Sequence, residues 1–428
     1  MNPFKDYKHI HFIGIGGIGV SAIARMFKGQ GKEITGSDMS QSEIIDDLVK
    51  EVMKISVGHN RDNIEEGTDL VIHTIAIPES NPEMAYAREA GIKTMTYPEV
   101  LGELSKTMYT IAVSGTHGKT TTTAMIAHIF EKAGLKPTVI VGSKLLGQNS
   151  NFVVGDGKYL VVEACEYKRS FLNLYPKALI ITNIETDHLD YYKDLEDIQD
   201  AFRTIAKRVP QEGFVICDSH DEKVAPVLEG VEAKVIDYRQ GMESLELSVP
   251  GLHNQQNAQA ALALAKALDI EKTVATEALK DFKGTWRRLE YKGDILGSVP
   301  LYDDYAHHPT AIKAGIAALR ESYPHKKIIC VFEPHQQQRV KDFAKDFALA
   351  LSRADKVYVA PIYRAREVRD EALTDDMLAQ MVDGAKAVAT PAELEEELKQ
   401  SADNESIVVM MGAGHIHDWV VEIQRNLS

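Results

Sequence analysis

The sequence predicts an α/β protein of about three domains built on parallel sheets. Length sets the count: 428 residues, at roughly 150 per domain, leave room for three cores. Periodicity sets the class, because short apolar runs alternate with longer amphipathic stretches in the pattern of βαβ units. Two glycine turns, each following an apolar run and opening a helical stretch, add the junctions at which such folds present backbone N–H groups to anions.

In the first segment, 1–106, residues 9–13 read as a strand and 18–28 have helical spacing; strands at 33–36 and 70–74 follow. The second segment, 107–295, opens with the β-rich run 109–113, which enters a glycine-containing loop and then an apolar helical stretch at 124–130. Strands at 159–162, 178–182 and 214–217 come next, and helices at 257–268 and 273–282 close the segment. The third segment, 296–428, starts with a strand at 301–303, after which helix 309–320, strand 327–332, helix 340–351 and strands 356–360 and 406–410 succeed one another. Pro309 suits a first helical position, where a missing N–H costs nothing. The acidic run 393–397 reads as a solvated helix face.

Composition narrows the function classes. Apolar residues make up 44% and charged residues 26%, enough to bury several cores without disulfide or metal. With 48 Lys and Arg against 63 Asp and Glu, the net charge of −15 argues against a nucleic-acid scaffold but leaves room for local phosphate pockets. Cys165, Cys217 and Cys330 lie far apart and read as reduced thiols. No apolar run approaches the ~18 residues of a membrane helix. Lys5 and Lys8 precede an apolar stretch, but glycines at 14, 16, 17 and 19 break it as a leader, so a mature cytoplasmic protein is expected.

The sharpest local signal is Ser114-Gly-Thr-His-Gly-Lys-Thr-Thr-Thr-Thr123. Between a β-run and a helix, it places the backbone of Gly115, Thr116, His117 and Gly118, with Thr121 beyond, where a phosphate chain would lie. Lys119 would reach the β- and γ-phosphates, and the Thr120 hydroxyl would meet Mg²⁺. Carboxylates at strand ends complete such a metal shell, so Glu163 is a candidate ligand and His188, in 182–190, offers a second contact. Gly14-Ile-Gly16-Gly17-Ile-Gly19, with Asp38 nineteen residues on, fits a turn selected for close approach to a diphosphate. Read alone it would suit a nicotinamide-dependent oxidoreductase, but that leaves the second loop idle; two cradles suggest two phosphorylated ligands. In the third segment, 303–309 carries adjacent His307 and His308, which cannot easily share one metal, and Arg339 offers a planar fork to a carboxylate. Arg287 and Arg288 lie near the second boundary, where basic side chains suit a phosphate.

Taken in order, these motifs resemble the Mur ligase family of peptidoglycan synthesis, together with 76–82, 250–258 and 411–414. The resemblance implies an N-terminal Rossmann-like domain for a UDP-sugar, a central P-loop ATPase, and a C-terminal Rossmann-like domain for the amino acid and ATP. It implies ATP and Mg²⁺ as cofactors, UDP-N-acetylmuramate and L-alanine as substrates, and a cytoplasmic monomer or dimer touching neither nucleic acid nor membrane. Lys119 and Thr120 become the ATP and Mg²⁺ contacts, Glu163 and His188 the metal sites, and Asn257, Arg287 or Arg288, and Asp304 the ATP side. His307, His335 and Arg339 match positions near the incoming amino acid. Gly16, Gly17, Asp38, Ala76 and Ile77 fall where the family holds uridine nucleotide, with Ser170 and Asn183 towards the muramyl end. Cys165, Gln336 and His415 stand where alanine-adding members usually carry Asp, Arg and Asp. A tripeptide-adding recycling ligase is the alternative, and a non-catalytic nucleotide sensor a more distant one. Arg203 falls where other members carry a carbamylated lysine, so none is expected.

Overall fold

The computed structural model describes residues 3–146, 150–364, 367, 370 and 373–428. It divides into two compact units, Met1–Glu246 with Gln256–Phe282, and Leu247–Gln255 with Lys283–Ser428. Among the described residues three sheets form, two in the first unit and one in the second.

The first sheet contains β1 (His9–Ile13), β2 (Glu33–Asp38), β3 (Lys54–Val57), β4 (Leu70–His73) and β5 (Lys93–Thr96), parallel in the order β3-β2-β1-β4-β5. Chain order reverses at β1, which opens a crevice beyond its carboxyl end. β1 is buried throughout, as a central parallel strand should be.

The second sheet contains β6 (Tyr109–Ser114), β7 (Thr138–Leu145), β8 (Ser150–Val153), β9 (Tyr159–Glu163), β10 (Ala178–Ile181), β11 (Phe214–Cys217) and β12 (Lys234–Asp237). Its order is β12-β11-β10-β6-β9-β7-β8, and only the β7–β8 pair is antiparallel. β6 is flanked by β9 and β10, so the loops leaving these three strands converge at one edge. One apolar core runs through both sheets, from Ile10 and Phe27 to Val162 and Ile181. Arg25 Nη1 donates to Asn151 Oδ1 (2.7 Å), and buried Lys144 pairs with Glu43 and Asp47 (2.7 and 3.2 Å), tying the sheets together.

The second unit holds β13 (Glu290–Ile295), β14 (Val299–Asp304), β15 (Lys327–Phe332), β16 (Lys356–Val359), β17 (Lys386–Ala387) and β18 (Ser406–Met411), in the order β13-β14-β18-β15-β16-β17. β13 pairs antiparallel with β14 through a bulge. A boundary at 295/296 would divide this hairpin; its ladder hydrogen bonds put 290–295 in the third sheet rather than at the end of the second segment. Both tryptophans, Trp286 and Trp419, belong to this unit. The run 393–397 lies on helix Pro391–Ser401, which buries Leu394 and Leu398 and leaves its acids towards solvent. Among the described residues no helix is long and apolar enough to cross a membrane.

Candidate active site

β6 ends at Ser114, and helix Lys119–Lys132 begins four residues after Gly115. Gly118 is its N-cap, at φ +83°, and a side chain there would lie 2.5 Å from Asn257 Oδ1. Glycine is therefore required twice over, by backbone conformation and by space. The neighbouring strand's loop supports the turn: Asn183 Oδ1 accepts from His117 N (2.9 Å), and its Nδ2 donates to His117 O (3.0 Å).

Lys119 folds back over the turn. Its Nζ donates to Gly115 O (2.5 Å) and Thr116 O (3.1 Å) and lies 3.0 Å from the buried carboxylate of Glu166. Burial works against the ammonium, but Glu166 foremost holds its pKa above the ordinary lysine value. Thr120 Oγ1 donates to Glu163 Oε1 (3.0 Å), while Gly142 N binds the other oxygen (2.7 Å). His188, at φ +55°, places Nε2 3.7 Å from Glu166 Oε1, its ring 4.8 Å from Tyr167. Lys119, Thr120, Glu163 and His188 thus converge around the loop, with Glu166 between lysine and histidine. Ser170 sits on the 3₁₀ segment Tyr167–Asn173 and donates to Tyr167 O (2.8 Å).

At the first sheet, the turn 14–17 leaves β1 and meets the end of β2. Gly16 N donates to Asp38 Oδ2 (2.9 Å) and Gly17 is the N-cap of helix Ile18–Gly29. Ala76 and Ile77 follow β4 on the same edge, Ile77 N donating to Thr74 O (3.2 Å). These five residues lie at one edge of the first sheet, at or after the carboxyl ends of β1, β2 and β4. Below them, fully buried Glu83 accepts from Ser37 (2.6 Å), Asn63 (2.6 Å) and Asn60 N (3.1 Å), a network that braces the crevice.

In the second unit, Asp304 ends β14, and Glu333 and His335 follow β15. Burial pushes the Asp304 carboxyl up to about 6 despite nearby Arg288, and Glu333 up to about 7 although its Oε2 accepts from Gly414 N (2.8 Å). The His307 and His335 rings pack tilted at 59° with centres 5.6 Å apart, and Arg339 Nη1 lies 3.3 Å from His335 Nδ1. His308 turns away: its Nδ1 accepts from Thr310 N (3.3 Å) as the cap of helix Pro309–Ser322.

Three family models cover the chain in sequence: the Mur ligase family catalytic domain over residues 9–109, the Mur ligase middle domain over 113–238, and the Mur ligase glutamate ligase domain over 287–414. The chain belongs to the Mur ligase family. A UDP-N-acetylmuramate–L-alanine ligase of Agathobacter rectalis is 40% identical, with 99% of this chain and 98% of the relative covered. One of Clostridium novyi is 39% identical over 97% of each. The crystal structure of UDP-N-acetylmuramate–alanine ligase from Thermotoga maritima superposes with a TM-score of 0.84 at 29% identity, covering 98% of this chain and 99% of that one.

In this Mur ligase several of these side chains also make contacts within the fold. Buried Arg287 turns inward, donating to Gly412 O (2.6 Å) and lying 3.4 Å from Asp303. Its neighbour Arg288, over Tyr305 at 5.1 Å, is the less buried of the pair. The Asn183 amide hydrogen-bonds to the His117 backbone on both sides. Glu166 and Glu333 carry no signal of a site role in the sequence, since the strand order is needed to show which lysine or which turn each of them faces.

Proposed function

We propose that this Mur ligase joins L-alanine to the lactyl carboxylate of UDP-N-acetylmuramate, driven by ATP, in the making of peptidoglycan precursors. The observation that carries the reading is the convergence of Lys119, Thr120, Glu163 and His188 on one glycine loop, in a chain 40% identical to a ligase of that name. Residues 1–106 would hold the UDP-sugar, 107–295 ATP, and 296–428 the amino acid.

The lactyl carboxylate attacks the γ-phosphorus, giving an acyl phosphate and ADP. Lys119 neutralises charge on the transferring group, since phosphoryl transfer depends mainly on positioning and electrostatics. Glu166 holds that ammonium over the loop beforehand. Thr120 and Glu163, a hydroxyl and a carboxylate 3.0 Å apart, with His188 nearby, would hold Mg²⁺. This oxygen-rich set suits a hard cation, which when bound supplies charge neutralisation at the β- and γ-phosphates. Arg339 would fix the carboxylate of L-alanine, and His335 or His307 would take a proton from its ammonium. The amine then attacks the activated carbonyl and phosphate leaves. The work is assigned to the cytoplasm, where ATP and nucleotide sugar are available.

The test is phosphate release with UDP-N-acetylmuramate while acceptors are supplied singly. L-Alanine should give the highest kcat/KM; preference for a tripeptide would replace this reading with the recycling ligase. Glycine and L-serine should follow within about 100-fold, because one methyl group discriminates weakly.

A further inference from the structure

Tyr97 stands where the first two sheets meet, beside the glycine-rich start of helix Ile18–Gly29. It opens helix Tyr97–Ser105 directly after β5, and Thr96 with Glu99 forms a capping box that fixes its backbone (2.6 and 3.4 Å). The helix is anchored to the second sheet's side through Tyr175 N, which donates to Ser105 Oγ (3.0 Å). From there the phenol reaches back to the glycine turn. A methyl group at Gly19 would lie 2.6 Å from both Tyr97 Oη and Cζ, so glycine at this position makes room for the ring. Oη therefore stands in the first turn of helix Ile18–Gly29, whose N-terminal amides face the place a diphosphate would occupy. Burial foremost, with Glu163 and Cys165 nearby, holds the phenol's pKa above its ordinary value, so the hydroxyl keeps its proton and remains a donor.

Resting on the proposed substrate, we propose that Tyr97 is a substrate-positioning residue whose hydroxyl donates to the diphosphate of the nucleotide sugar. The contact would hold that bridge beside the turn while the sugar extends towards the Lys119 loop. A ring that merely fills the seam would serve as well without its oxygen, and this separates the two roles.

Tyr97→Phe keeps the ring and removes the donor. Calorimetric binding of UDP-N-acetylmuramate and of free UDP should each weaken about 10- to 100-fold, the range for one hydrogen bond lost to a charged acceptor. The KM for the nucleotide sugar should rise in step, with kcat and the KM for ATP within about two-fold of wild type. Unchanged binding of both ligands overturns the assignment, as does weakened sugar-nucleotide binding with UDP unaffected, or a loss confined to kcat or to ATP. If wild type binds UDP-N-acetylmuramate but releases no phosphate with any acceptor, the ligase reading fails while the Tyr97 contact is still decided by binding. If wild type binds neither ligand, both fall.

Discussion

Lys119 is held over its own loop by two carbonyls and the Glu166 carboxylate, so the charge a triphosphate would meet is already in place. Lys119→Ala should lower kcat/KM for phosphate release by about 100-fold or more, the effect of losing about 3 kcal/mol of preorganised charge stabilisation; circular dichroism should show the fold intact. Near-normal ligation by the variant would remove the phosphate assignment. Asp304 gives a pH signature. Its carboxyl keeps a proton up to about pH 6 in the folded unit, whereas an unfolded aspartate loses it near 4. The folded state thus binds the extra proton between these values, and stability from this group falls as pH rises through that window. Asp304→Asn, which retains an acceptor for Ala306 N, should therefore gain on wild type by up to about 3 kcal/mol from pH 4 to pH 7 in denaturant titrations. A constant difference would refute the shift. Lysine and threonine were legible because their place after Gly118 already implies a phosphate chain. Glu166, Glu333 and the inward turn of Arg287 were not, because their partners lie far away along the chain.

At the scale of elements, the turn between β6 and its helix carries the strictest demand. Gly118→Ala would put a side chain into a left-handed residue and against Asn257. It should cost about 1–3 kcal/mol in urea unfolding and raise the KM for ATP. Tolerance of alanine would show that Asn257 yields easily. Strands inside a sheet are readable as continuous apolar runs: β1, β11 and β15 fall where those runs place them. Edge strands such as β3, with sequence KISV and no buried residue, carry no comparable signal and are set by pairing with a neighbour. The helix after the phosphate loop starts at Lys119, five residues ahead of the sequence reading. Four consecutive threonines argue against helix locally, yet all four are buried here, and packing overrides propensity. β13 was absorbed into the second segment because nothing in EYKGDI discloses that it turns back on β14.

The whole molecule has fewer cooperative parts than sheets. Since one core threads the first two sheets, Ile10–Phe12 and Ile111–Val113 should exchange their amide hydrogens through the same global opening, with protection energies agreeing within about 1 kcal/mol. A markedly weaker first sheet would contradict a shared core. Lys144→Ala, which removes the cation that joins Glu43 and Asp47 to the second sheet and leaves Asp47 only Lys50, should lower both energies together. The segregation of indole side chains has a practical outcome. With Trp286 and Trp419 confined to Leu247–Gln255 and Lys283–Ser428, intrinsic fluorescence excited at the indole band is a built-in reporter of one half of the enzyme. UDP-N-acetylmuramate, if held by the other half as proposed, should displace the melting curve followed by far-ultraviolet dichroism further than the emission curve. The protein can thus reveal which of its parts a ligand grips without any attached label.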